Sequence, residues 1–318
     1  SWLKDGSLIL QVQNRQQTNL ELIHVANDLS NYSVILTEQS DYWINITDIF
    51  KPLSNGKFIW GSERTGFNHL YMYDFSDHSY CQITKGDWHV DSVIGVDQDE
   101  GLIYFAANKD SAIGKSIFTV NFKGEDITKI SSSNGTASAI FDPISKMLAI
   151  IKSSLEDSPS FSLLNCKENT SVDLQSIILN DDRVENFNLI PPDIITLDSD
   201  SNDQLYSAIY KPDTKKFSPP YPTVLYVYGG PHSQLVTDSY SLTSAMRIQR
   251  LRQNGFLVCI LDNRGTYRRG IEFEAYVKNN MGNLEVEDQI KGIEHLIDIG
   301  LTDPENIAVY GWSYGGYM

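Results

Sequence analysis

The chain has 318 residues, 41% hydrophobic and 21% charged, which is ordinary for a globular protein with room for two domains. Its formal net charge is −16 and its pI about 4.7. Binding nucleic acid or an anionic membrane surface needs a basic face, so the charge argues against both partners.

No apolar run approaches the roughly 18 residues of a membrane-spanning helix. No signal peptide is visible, and a start at Ser1 leaves the natural N-terminus to be expected upstream. Cys81, Cys166 and Cys259 are too few and too far apart for a disulfide scaffold, and none has metal-ligand spacing. Cys259 lies in a buried-strand pattern, where a thiol acts as a small hydrophobe. Glycosylation patterns begin at Asn31, Asn45, Asn134 and Asn169. A chain rich in Asn, Ser and Thr produces such matches by chance.

Residues 1–185 repeat one unit. A turn and strand at Leu3–Leu10 recur at Leu53–Trp60, Gln98–Phe105 and Pro143–Ile150, with Gly6, Gly56, Gly101 and Lys146 at the same place in the turn. A second strand follows in each: Leu20–Val25, His69–Asp74, Ser116–Asn121 and Ser160–Asn165. A third follows at Val34–Thr37, Cys81–Thr84, Asp126–Lys129 and Val172–Gln175. A period of roughly 45–50 residues with several short strands per unit predicts β-propeller blades, here the C-terminal blades of a ring completed upstream. Trp43, Trp60 and Trp88 are expected to fill gaps between blades, and Glu63-Arg64, in a loop between strands, to form a solvated surface pair rather than to face a central channel. His24 and His69, on strands, read as structural histidines rather than ligands.

After Pro191-Pro192 strands alternate with helices, which predicts an α/β sheet over residues 186–318. Strands are expected at Ile194–Asp198, Leu205–Tyr210, Thr223–Tyr228, Phe256–Leu261 and Ile307–Tyr310. Helices are expected at Leu242–Gln253 and Leu284–Ile299, the second burying Val286, Ile290, Ile293, Leu296 and Ile297. Thr302-Asp303-Pro304 reads as a turn before the fifth strand.

That strand ends in Gly311-Trp312-Ser313-Tyr314-Gly315, a G-x-S-x-G pattern. A strand running into it predicts a nucleophile elbow, and five strands before it predict an α/β-hydrolase domain, truncated after the elbow. Ser313 is the candidate nucleophile. Its activation needs a base held by a carboxylate, and the chain order of this fold places both beyond Met318. His232 and His295 are poor substitutes, one in a Gly-Gly-Pro loop and the other on a helix. The Tyr314 backbone N–H is one expected oxyanion donor. The second should come from Tyr228-Gly229-Gly230, by a backbone amide or the Tyr228 hydroxyl.

The elbow residues Gly311–Tyr317, with Val227–Pro231, Asp262–Gly265, Met281–Gln289, Thr84–Trp88 and Tyr42–Ile46, resemble the prolyl oligopeptidase family of serine peptidases. The dipeptidyl peptidase IV subgroup is the nearest match, its cytosolic members eight and nine and their bacterial relatives above all. The resemblance implies Ser313 as nucleophile, with the Tyr228 hydroxyl and Tyr314 N–H as oxyanion donors. It implies release of N-terminal dipeptides with proline or alanine second, no metal or organic cofactor, a homodimer and a cytoplasmic location. The glutamate pair that anchors the substrate amine in this subgroup has no match here and is expected upstream of Ser1. An oligopeptidase or acylaminoacyl peptidase of the same family is the enzyme alternative. A non-catalytic propeller that binds partners is the other, and the presence of Ser313 counts against it. Residues 1–318 alone are expected to be inactive and poorly soluble.

Overall fold

The computed structural model describes residues 1–131, 134–174, 184 and 186–318. Four antiparallel sheets follow one another along the chain. The first holds β1 (Leu8–Gln13), β2 (Asn19–Val25) and β3 (Tyr32–Gln39). The second holds β4 (Phe50–Pro52), β5 (Lys57–Ser62), β6 (His69–Asp74) and β7 (Tyr80–Gln82). The third holds β8 (Val90–Asp97), β9 (Leu102–Ala107), β10 (Ser116–Asn121) and β11 (Thr128–Lys129). The fourth holds β12 (Thr136–Asp142), β13 (Met147–Ser153), β14 (Ser160–Asn165) and β15 (Thr170–Leu174).

The turns that open each repeat lie inside these sheets, between the first strand and the second. Gly6, Gly56 and Gly101 take φ of 84°, 76° and 66° there, and Lys146 takes 57° in the fourth copy. The strands ahead of the turns, β4, β8 and β12, escape a reading by alternation. β4 has three residues, and β8 slips register twice, at Val90/Ser92 and Val93/Gly95. In the first sheet a Trp2–Leu8 bridge stands at the corresponding place.

Neighbouring sheets pack face to face through apolar layers. Ile9, Leu20 and Leu22 of the first meet Phe58, Trp60 and Tyr71 of the second. Ile59, Leu70 and Met72 of the second meet Ile103, Phe105 and Phe118 of the third. Tyr104 of the third meets Phe141, Leu148 and Ile150 of the fourth. Trp60 and Trp88 sit in these layers, but Trp43 does not: half-buried in a loop, it lines a cavity.

Glu63 and Arg64 also depart from expectation. Arg64 reaches Glu38 at 2.5 Å and lies over the Tyr71 and Tyr80 rings, while burial pushes the Glu63 carboxyl up to about 7. Loops pulled inward by these contacts replace the solvated pair.

The second half is a five-stranded sheet of β16 (Asp193–Asp198), β17 (Gln204–Tyr210), β18 (Tyr221–Val227), β19 (Leu257–Asp262) and β20 (Thr302–Gly311). Its order is β16-β17-β19-β18-β20, antiparallel as far as β19 and parallel from β19 to β20. Every residue of β19, Cys259 included, is buried, as a central strand covered on both faces requires. The pairing of β20 jumps from Thr302 to Ile307, so Asp303–Asn306 bulge out, tied by the Asp303 carboxylate, and the expected turn sits inside the strand. The domain boundary expected between 185 and 186 and the strand end at Gln175 touch residues 175 and 185, outside the described residues.

The helix expected over Leu242–Gln253 is two pieces, α1 (Tyr240–Thr243) and α2 (Met246–Gln253). Ala245, with ψ of 80°, breaks it. Thr243 is drawn aside by its hydroxyl bond to Leu155 O (2.6 Å), and the Gln249 amide takes over the Thr243 carbonyl (2.8 Å). A short α3 (Ile271–Ala275) and the long α4 (Leu284–Asp298) follow. The buried face of α4 is only in part the expected one: Leu296 is buried and Ile293 packs against the same apolar cluster, as predicted. It presents Glu285, Asp288, Gln289, Gly292 and Leu296 inward, and leaves Ile290 half exposed. Polar partners beneath the helix, described below, select that face.

Candidate active site

β20 runs into Trp312, Ser313 and a one-turn helix α5 (Tyr314–Tyr317). Ser313 is exposed and adopts φ 56°, ψ −117°, a sparsely populated conformation that costs on the order of 1–3 kcal/mol for a residue with a Cβ. The flanking glycines have steric causes. A Cβ on Gly311 would meet Gly315 O at 2.0 Å, and one on Gly315 would meet Val227 O at 2.1 Å. The Ser313 carbonyl accepts from Gly316 N (2.9 Å) and Tyr317 N (3.2 Å). As the first helical residue, Tyr314 carries one of the N–H groups that a helix leaves without an internal acceptor.

Because β18 and β20 are parallel neighbours, with Val227 opposite Gly311, the turns after them meet. The turn after β18 holds Tyr228, Gly229 (φ 73°) and Gly230. A Cβ on Gly230 would meet the Tyr314 ring at 2.7 Å. The Tyr228 and Tyr314 rings lie 6.2 Å apart, tilted by 40°. The structure therefore brings the Tyr228 turn against the Ser313–Tyr314 elbow.

Below this junction the polar face of α4 braces both turns. The Tyr314 hydroxyl donates to Glu285 Oε1, and both Glu285 oxygens accept from Gly282 N at 3.1 Å. Burial, together with the Glu285 carboxylate, holds the Tyr314 hydroxyl above its ordinary pKa. Gln289 Nε2 donates to Leu261 O and to Asn263 Oδ1, each at 2.9 Å, and Asn263 Nδ2 donates to Gly229 O at 2.9 Å. Asp288 takes Arg264 in a fork, with Nη2 to Oδ1 at 2.8 Å, and accepts Arg264 N at 2.8 Å. These bonds raise the Arg264 pKa. The sequence gives one signal for this face: Glu285, Asp288 and Gln289 recur at helical spacing, a polar stripe that apolar periodicity passes over.

No histidine hydrogen-bonds Ser313 among the described residues. His232 packs against the Tyr267 ring at 5.5 Å, and burial lowers its pKa. His89, which the sequence reading passed over, meets Tyr267 Oη at 3.0 Å, and burial followed by the Arg268 charge pushes it down to about 3. It is a neutral packing group at the join between the stacked sheets and the α/β half.

That join also holds a carboxylate pair. Asn45 Nδ2 donates to Glu63 Oε2 (3.0 Å) and to Glu274 Oε2 (3.3 Å), and Trp43 Nε1 donates to Asn45 Oδ1 (2.9 Å). Burial, then the Glu63 charge, raises Glu274 to about 8. A cavity of about 600 Å³ lies beside Glu63, lined also by Trp43, Arg64, Asp91 and Tyr267. No group of acidic, histidine or cysteine side chains fit to hold a metal ion occurs among the described residues.

Comparison with known proteins gives these features a context. Residues 1–159 match the family described as the dipeptidyl peptidase IV (DPP IV) N-terminal region, and residues 242–318 match the prolyl oligopeptidase family. The chain is 30% identical to human dipeptidyl peptidase 8 over 98% of its own length and 39% of that protein. It is 25% identical to dipeptidyl peptidase 4 of Trichophyton equinum, over all of this chain and 42% of that one. The crystal structure of Porphyromonas gingivalis dipeptidyl peptidase 4 superposes with a TM-score of 0.87 at 26% identity, covering 98% of this chain and 44% of that one. The chain thus spans about two fifths of the length of the relatives it matches. Stacked antiparallel sheets followed by an α/β sheet fit that shared fold.

Proposed function

Since the chain belongs to the prolyl oligopeptidase family, in its dipeptidyl peptidase IV branch, we propose that the whole protein is a serine peptidase releasing N-terminal dipeptides with proline or alanine second. The observation that carries the proposal is the packing of the Ser313–Tyr314 elbow on the Tyr228 turn. On this reading residues 1–185 are propeller blades, and residues 186–318 are the first part of the hydrolase domain. Ser313 Oγ attacks the scissile carbonyl, and its proton passes to a histidine base. That base and the carboxylate that orients it come from outside residues 1–318. The tetrahedral oxygen is received by the Tyr314 N–H and the Tyr228 hydroxyl. Each such donor supplies about 10²–10³ in rate. Collapse expels the amine and leaves the dipeptidyl ester on Ser313, which water then cleaves. Peptides are the substrates, the working form is a homodimer in the cytoplasm, and residues 1–318 alone do not turn over.

The test is hydrolysis of a Gly-Pro chromogenic amide by the full-length protein. We expect turnover that Ser313→Ala abolishes, with gel filtration showing a dimer. No release of the dipeptide, with cleavage of N-blocked or internal sites instead, would replace this reading by an acylaminoacyl peptidase or oligopeptidase. Turnover surviving in Ser313→Ala would end it altogether.

A further inference from the structure

We propose that Glu285 is a positioning residue for the oxyanion site, acting through the Tyr314 hydroxyl. The inference rests on the serine-peptidase reading above and deepens it. Tyr314 has two jobs in one residue. Its backbone N–H is the donor next to Ser313, and its ring is the spacer against the Tyr228 turn. A side chain bonded at its far end fixes both, because the ring is rigid and only two torsions join it to the backbone.

The far end is bonded to an unusual acceptor. Glu285 is fully buried on α4. A buried carboxylate is costly to keep unless hydrogen bonds satisfy it. Here the donors are the Tyr314 hydroxyl and the Gly282 N–H. Gly282 has φ of 87°, and a Cβ there would meet the Tyr317 hydroxyl at 2.6 Å, so the loop entering α4 closes on the neighbouring Tyr317. The Tyr314 ring is held edge-on by Tyr317, with centroids 5.5 Å apart, and flanked by Gly230 and Tyr228. With Gly230 and Tyr228 on one side and Tyr317 at its edge, the half-buried ring is anchored at its far end by the Glu285 bond. A displacement there moves the elbow amide and the Tyr228 turn together. Positioning of this kind shows in the transition state more than in substrate binding.

The test uses Tyr314→Phe, Glu285→Gln and the double variant in the full-length protein, with wild type first shown to form a covalent adduct at Ser313 with a dipeptide boronic acid. Tyr314→Phe removes one oxygen and keeps the ring, so the fold is preserved. We expect kcat to fall about tenfold or more while KM stays within about threefold, the pattern of an interaction strongest in the transition state. Affinity for the boronic acid, whose tetrahedral oxygen occupies the oxyanion site, should fall by the same factor. Affinity for a non-covalent dipeptide product should not change. Glu285→Gln keeps an acceptor for the Tyr314 hydroxyl but exchanges a charged one for a neutral one, so its loss should be smaller. The double variant should be no worse than Tyr314→Phe alone, because the two residues act through one bond. Unchanged kcat and boronate affinity in Tyr314→Phe overturn the proposal, as do losses that multiply in the double variant. Should wild type form no adduct at Ser313, the serine-peptidase reading fails, and this inference with it.

Discussion

Between the second and third sheets the interior is Ile59, Leu70, Met72, Ile103, Phe105 and Phe118. Beneath the elbow it is Glu285, Asp288, Gln289, Asn263 and Arg264, each buried as deeply as those apolar side chains. Apolar burial is roughly proportional to area and indifferent to direction, so a layer of it tolerates small shifts. Hydrogen bonds are directional, and a buried donor or acceptor left unpaired is costly. The stacked sheets therefore need only cohere, whereas the ground under the elbow holds two turns in register. The two kinds of interior should fail differently.

The largest failure should come from Asp288→Ala. It leaves the Arg264 guanidinium, 3% exposed, without the fork that holds it. Removing one partner of a buried ion pair costs about 3–5 kcal/mol, because the other charge stays behind unpaired. Urea unfolding of the full-length protein should show a loss of that size. A midpoint close to wild type would mean that Arg264 finds water or Glu287, 3.9 Å away, as a substitute. The floor of the elbow would then be softer than its geometry indicates.

The same contrast decides what was legible in the sequence. The repeated turn and strands located β2, β5, β6, β9, β10, β13 and β14, whose apolar side chains line the layers between sheets. They missed the strands ahead of the turns, β4, β8 and β12, of which β4 has three residues and β8 slips register twice. The G-x-S-x-G pattern located the elbow, since backbone contacts near 2 Å leave only glycine at 311 and 315. It was silent on α4, where apolar periodicity named Ile290 as core and the fold buried Glu285 and Asp288 instead. Their partners, Tyr314 and Arg264, stand 29 and 24 residues away, and no local pattern announces such a pairing. For the same reason Glu63 read as a surface residue: its neighbour Glu274 belongs to the other half of the chain.

A polar contact within the stacked sheets gives a second, smaller test. Lys146 stands where Gly6, Gly56 and Gly101 stand in the other repeats, at φ 57°. A residue with a Cβ pays for that conformation, and here the Lys146 ammonium reaches Asp97 at 2.6 Å and Asp99 at 2.8 Å. Lys146→Ala keeps the strained backbone and abandons Asp97, which is 2% exposed. Lys146→Gly relieves the strain and abandons the same carboxylate. We expect both variants of the full-length protein to melt below wild type, alanine lowest, with the proposed Gly-Pro amidase activity unchanged at 25 °C. Glycine melting at or above wild type would show that the turn, not the ion pair, governs this sheet.

The smallest effect should lie at the join, where a polar interior is present but not satisfied. Glu63 and Glu274 share one Asn45 amide, and each keeps one carboxylate oxygen buried with no hydrogen bond. Burial first, then the Glu38 charge for Glu63 and the Glu63 charge for Glu274, raises their pKa values to about 7 and about 8 from 4.5. A carboxyl whose pKa is higher folded than unfolded binds its proton more tightly in the native state. The contribution of the pair to stability is then fully present below about pH 4.5 and is lost as pH rises towards 8. His89 works in the opposite sense: pushed down from 6.5 to about 3, it costs stability only as pH falls below 6.5. Between pH 6.5 and 9 the carboxylate pair thus acts without it. Over that range wild type should lose melting temperature, and Glu274→Gln, which keeps an acceptor for Asn45 without the charge, should lose less. Each kcal/mol spared corresponds to roughly 2–4 °C in a domain of this size. Parallel melting curves for the two proteins would mean that the pair is already neutralised by water or by Arg268, and that the join is as well satisfied as the floor of the elbow.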